Sequence, residues 1–96
     1  MKERTRTVPR KKTSRKVTQE PPYKVILHND DYNTMEHVVE TLRKVIAGMT
    51  LKRATEVMWE AHTRGQAVAA KCHKELAELY RERLGEEGLT ATIEPD

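Results

Sequence analysis

Two adjacent prolines, Pro21 and Pro22, divide this chain of 96 residues into a stretch that cannot build a core and a stretch that can. Proline fixes its own φ and pushes the preceding residue towards extended backbone, so the pair marks a boundary. Before it, residues 1–20 hold eight basic side chains (Lys2, Arg4, Arg6, Arg10, Lys11, Lys12, Arg15 and Lys16) against two acids, Glu3 and Glu20, a balance of +6. Taking these from the totals of 18 basic and 15 acidic leaves ten against thirteen, or −3, for the remainder. The first segment has little apolar content beyond Met1, Val8 and Val17. It buries too little to offset its ordering entropy, so residues 1–21 are expected to form a disordered basic extension and residues 22–96 a single small folded domain. Lys and Arg release counterions from phosphate, which makes a nucleic-acid-associated protein acting through this extension the alternative reading of function. No aromatic side chains or groove-reading helix stand beside it to support that reading.

Composition narrows the rest. There is no Phe, one Trp and three Tyr, so the core has to come from Val, Leu, Ile, Met and Ala. No run of 18 apolar residues is present, and nothing is expected to span a membrane. No basic n-region leads into an apolar stretch, so no secretory signal is expected. Cys72 is the single cysteine, which excludes an internal disulfide and fits a reducing, cytoplasmic setting.

Residues 23–28 (Tyr-Lys-Val-Ile-Leu-His) read as a strand. Asn29-Asp30-Asp31-Tyr32-Asn33-Thr34 is a polar turn cluster in which Asn33 or Thr34 can cap a helix, and Asn33 with Glu36 resembles a capping box. Val38, Val39, Leu42, Val45, Ile46 and Met49 follow at helical spacing, giving a helix over about 35–47 that Gly48 stops. Thr50 can cap a second helix, whose Leu51, Ala54, Val57, Met58 and Ala61 share one face, with Gly65 at its end. A short strand follows over 66–71. Leu76, Leu79, Tyr80 and Leu84 mark a third helix that Gly85 can end, and Leu89, Ala91 and Ile93 alternate with polar residues in a last strand. The order β-α-α-β-α-β makes an α+β domain with helices on a small, mostly antiparallel sheet.

Catalytic constellations are weak. Asp30 and Asp31 are adjacent, so on extended backbone they point to opposite sides. His28, His37, His62 and His73 lack metal-ligand spacing. Cys72 beside His73 is no nucleophile pair unless the two side chains converge. No catalytic residue, metal or cofactor is expected. A binding site is better supported. Polar Asn29 and Asp30 end a strand, while Met58 and His62, four apart on a helix, share a face.

The block from Tyr23 through Asn29-Asp30-Asp31 to Met35-Glu36 resembles the ClpS family of adaptor proteins, whose pattern is YKVxLxNDDxTPM. A second block matches at the family's separation: Arg53-Ala54-Thr55-Glu56-Val57-Met58, then His62, Gly65 and Ala67. The resemblance covers roughly residues 22–94. It implies three helices packed on a three-stranded antiparallel sheet. It also implies a non-enzymatic adaptor that binds the first residue of N-degron substrates, preferring Leu, Phe, Tyr and Trp. The implied partner is the N-terminal domain of a Clp-type AAA+ unfoldase (ClpA or ClpC type), to which substrates are delivered for degradation.

By motif position the resemblance implies that Asn29, Asp30 and His62 hold the substrate α-amino group. That group is mostly cationic at pH 7, so a carboxylate, an amide oxygen and a neutral imidazole nitrogen suit it. Asp31, Asn33, Thr34, Met35, Val38, Met58, Ala61 and Leu89 fall at or near pocket positions. Met35 is the implied gatekeeper against β-branched first residues, and Glu75 lies in the region that docks on the unfoldase. An unstructured N-terminal extension, as expected over 1–20, helps hand over substrate in the family. Three departures stand out. Asn33-Thr34 replaces the usual Thr-Pro, Ala61 replaces a frequent valine, and Tyr80 replaces a frequent lysine in the docking region.

Overall fold

The computed structural model describes residues 20–96. The expectation of a disordered basic extension concerns a segment of which residues 1–19 lie outside the described residues, as does its nucleic-acid alternative. Strand β1 spans Tyr23–His28, helix α1 Met35–Val45, helix α2 Leu51–Arg64, strand β2 Gln66–Cys72, helix α3 Lys74–Glu86 and strand β3 Thr90–Pro95. The sheet runs β2-β1-β3, and β1 pairs antiparallel with both neighbours. This is the expected α+β arrangement.

The central strand carries the most continuous apolar run, and Val25, Ile26 and Leu27 are all buried. Val25 and Leu27 face the helices and join Leu42, Ile46, Ala54, Val57, Ala77, Leu84 and Leu89 in one core. In β2 the partners of Val25 and Ile26 are Ala70 and Val68, so Ala69 is an extra residue, a bulge. The bulge lets Ala67 and Ala69 pack into the core while Ala70 and Cys72, one and three residues beyond Ala69 and so on the other phase of a strict alternation, also lie against it. These positions and the facing Ala54 and Ala61 of α2 are small, which permits close packing of helix on sheet.

The helix ends depart from the sequence expectation at some caps and agree with it at others. Thr34 is the N-cap of α1, its hydroxyl accepting from the His37 N–H at 3.0 Å. The third helical residue is then His37, so Asn33 and Glu36 make no capping box. Helix α1 ends at Val45 rather than at about 47, because Ile46 turns extended. Thr50 caps α2 as expected, and Gly65 ends it in the left-handed region with φ 93°. Gly85 does not end α3; the helix runs on to Glu86, and Gly88, at φ 91°, makes the left-handed turn. The flanking strands also shift by a residue, β2 reaching Cys72 and β3 starting at Thr90.

A Cβ at Gly65 would meet open space, so only backbone strain opposes it. Gly65→Ala is therefore expected to lower stability by about 1–2 kcal/mol, the cost of an alanine in left-handed backbone. Urea unfolding followed by circular dichroism reads this, and an unchanged midpoint would show that the turn relaxes freely.

Candidate functional site

The end of β1, the start of α1 and the end of α2 come together, and one backbone hydrogen bond ties the first to the last. The Asn29 N–H donates to the Gly65 carbonyl at 3.0 Å, linking the strand exit to the C-terminus of α2. That bond sets Asn29 and Asp30 beside His62. Between them opens a cleft of about 200 Å³. Its walls include Asn29, Asp30, Asp31, Asn33, Met35, Val38, Met58, Ala61, His62 and Leu89. All these were candidate site residues. Leu27 and His28 also line the cleft and were not anticipated. Leu27 is a floor residue supplied by the strand's core face. His28 is the strand's last residue, with its ring 2.7 Å from the Thr92 hydroxyl.

Thr34 is the one pocket candidate absent from the walls; its hydroxyl caps α1 instead. Asp30 and Asp31 both reach the cleft because the loop bends after Asp30 rather than continuing extended. Glu75 lies exposed in the first turn of α3. Tyr80 is buried, and its hydroxyl accepts from the Ala47 N–H at 3.2 Å, so this side chain serves the core.

The polar end of the cleft is organised by Asp30. Its Oδ1 accepts from the backbone N–H groups of Tyr32 and Asn33, each at 2.9 Å. The Asn33 side-chain amide donates to Oδ1 at 3.1 Å and Oδ2 at 3.0 Å, and also to the Gly88 carbonyl at 2.9 Å. Asn33 is thus a strut between the loop and the turn before β3, rather than simply a pocket wall. Burial by itself pushes the Asp30 carboxyl up. The donors from Asn33 and Tyr32, with the nearby His37, outweigh it and hold the group below its usual range. Asp30 therefore stays anionic while bracing the loop, and Oδ2 keeps acceptor capacity towards the cleft.

The His62 ring, also on the cleft wall, meets the Trp59 ring edge-on, with centroids 5.7 Å apart. The apolar end is formed by Met58, Ala61 and Leu89, all buried, together with half-buried Val38 and exposed Met35. Met35 and Met58 are thioether chains that adapt to guests of different shape. A cavity of about 150 Å³ already holds benzene, so this cleft has room for an aromatic ring or a branched aliphatic chain.

Asn33→Ala removes a donor to three acceptors. It is expected to cost about 1–3 kcal/mol of stability and to let the Asp30 pKa rise towards its ordinary value. The sign follows from linkage. A depressed carboxyl stabilises the fold above its unfolded pKa and loses that contribution as pH falls through its folded value. The variant therefore starts losing its Asp30 contribution at a higher pH than the parent. Carboxyl NMR titration reads the shift directly, and an unmoved Asp30 curve would refute the strut.

Among the described residues no metal centre or nucleophile pair competes with the cleft. No three His, Cys, Asp or Glu side chains converge among them. Burial raises the Cys72 thiol, the reverse of an activated nucleophile, and His73 Nδ1 caps α3 by accepting from the Leu76 N–H. No helix of the described residues is long and apolar enough to cross a membrane.

The family model for the ATP-dependent Clp protease adaptor protein ClpS matches residues 18–92. The chain is 44% identical to an ATP-dependent Clp protease adapter protein ClpS of Synechococcus elongatus, over 92% of this chain and 90% of that protein. It is 47% identical to one of Gloeobacter violaceus, over 96% and 97%. Among solved structures, Agrobacterium tumefaciens ClpS2 bound to L-phenylalaninamide superposes with a TM-score of 0.71 at 36% identity, covering 79% of this chain and 98% of that one. With this fold, and with a family match running from residue 18 into β3, the chain belongs to the ClpS family of Clp protease adaptors.

Proposed function

We propose that the cleft reads the first residue of N-degron substrates and that the protein hands them to a Clp AAA+ unfoldase-peptidase. The observation that carries this reading is one cleft with two chemistries: an anionic, amide-bearing polar end at Asn29, Asp30 and His62, and an apolar cup at Met35, Val38, Met58, Ala61 and Leu89. An α-amino acid residue at a chain start has the same two parts, a cation and a side chain on one carbon. Asp30 neutralises the ammonium, while the Asn29 side-chain oxygen and a His62 ring nitrogen accept its hydrogens. The cup takes a large unbranched side chain of the Leu, Phe, Tyr or Trp kind. ClpS2, the structural relative, is bound to L-phenylalaninamide, a single residue with a free α-amino group.

Burying roughly 150–250 Å² of an aromatic side chain gives about 4–6 kcal/mol before entropy losses. A charge-assisted hydrogen bond contributes about 1.5–3 kcal/mol. Neither end is dispensable for micromolar binding. The protein acts here as an adaptor without chemistry of its own. Exposed Glu75 on α3 contributes to the unfoldase contact, with the N-terminal domain of a ClpA- or ClpC-type partner as the docking surface. The compartment is the cytoplasm, and residues 1–21 serve as the extension that helps hand over substrate. A purified Clp unfoldase-peptidase with ATP should degrade a reporter starting with Leu faster when this chain is added. It should show no acceleration for the same reporter starting with Gly. Equal acceleration of both would overturn the reading.

A further inference from the structure

The cleft has a neighbour. A second groove of about 460 Å³ runs between α1 and α2 and shares Met35 and Met58 with it. Its floor is apolar, built from those two methionines with Val39 and Leu51, and Glu36 and Glu40 stand on its α1 side. Leu51 is 56% exposed and Met35 40% exposed, so large apolar side chains that line one groove are left open to solvent. The two helices run antiparallel, so the groove starts at the cleft wall and follows α1 as far as Arg43.

We infer that this groove is a second subsite, which takes apolar side chains at positions two to four of the polypeptide whose first residue occupies the cleft. The inference rests on the cleft reading above. A substrate differs from a lone amino-acid amide in having a chain that must leave the cleft past one of its walls. The Met35–Met58 wall is continuous with an apolar strip. From Met35 to Arg43 the helix rises about 12 Å, which three or four residues of extended chain span. A narrow apolar floor with Glu36, Glu40 and Arg43 along one side is the anatomy of a peptide-contact surface, dry at the centre and polar at the rim. The groove therefore adds affinity by sequence after the first residue, while the cleft alone decides which first residue is accepted.

The test uses two peptides labelled at the C-terminus, each starting with Leu. One continues with three glycines and the other with three leucines, and each has an N-acetylated twin. On the full chain the leucine-extended peptide is expected to bind about five- to tenfold more tightly than the glycine-extended one. Leu51→Asp should cancel that gain and leave the glycine peptide within twofold. The substituted position is exposed at the start of α2, where an acid is well tolerated, and the melting curve checks the fold. A gain that survives Leu51→Asp, or the absence of any gain while the glycine peptide binds, overturns the inference and leaves the cleft reading standing. Failure of every peptide, or equal binding of the acetylated twins, overturns the cleft reading and the subsite with it. Sedimentation showing that the chain alone dimerises through Leu51 would assign the groove to a second copy and also overturn the inference.

Discussion

Asp30→Ala is expected to weaken binding of a free-amine Leu peptide by a hundredfold or more. Two losses combine. The ammonium loses its counter-charge, and a charge-assisted hydrogen bond of about 1.5–3 kcal/mol disappears with it. The loop also loses its brace, because the Tyr32 and Asn33 N–H groups and the Asn33 amide all donate to this carboxylate. Asp30→Asn separates the two effects. It keeps an acceptor oxygen for the loop and removes the charge, so it should fall between the parent and alanine. Anisotropy titrations give the affinities, and thermal melts show that both variants remain folded. Near-normal affinity for Asp30→Ala in a folded protein would refute the carboxylate's role in gripping the amine.

Met35→Ala should change which first residues are admitted. The side chain stands at the cleft wall, exposed enough to move and large enough to crowd a methyl branch at Cβ. Removing it opens the cleft towards the groove between α1 and α2, with which Met35 is shared. Peptides starting with Ile or Val are expected to gain about tenfold in affinity. Those starting with Leu or Phe should lose about three- to tenfold, through the apolar contact given up. The readout is the ratio of the two classes, which a general loss of stability does not alter. Unchanged exclusion of Ile and Val would move the gate to another wall residue.

Much of the fold was legible because its local signals agree with one another. The apolar run 25–27 sits in the middle strand, Thr50 and Gly65 bracket α2, and the alternation at Leu89, Ala91 and Ile93 marks the last strand. The bulge at Ala69 was not legible, since it arises from pairing with β1 and leaves no mark in a run of alanines. Gly85 is the stop that the sequence suggests for α3, yet the helix runs past it to Glu86. Only the closing of the turn, in which the Leu89 N–H returns to the Leu84 carbonyl, selects Gly88. The site follows the same division. Side chains on helix faces and at the strand exit could be grouped by spacing and by family resemblance, and most of them do line one cleft. The role of Asn33 depends on Gly88, distant in sequence, and no local rule connects an amide to a carbonyl across that separation. Thr34 could serve the pocket or the cap, and its hydroxyl serves the cap.

The central claim is that this protein recognises a free chain start. Fluorescence anisotropy with a labelled peptide starting with Phe or Leu, beside its N-acetylated twin, tests it most directly. Acetylation removes the positive charge and leaves the side chain unchanged, so the account predicts saturable binding of the free amine and at least a hundredfold loss for the twin. Equal binding of the two peptides would contradict it.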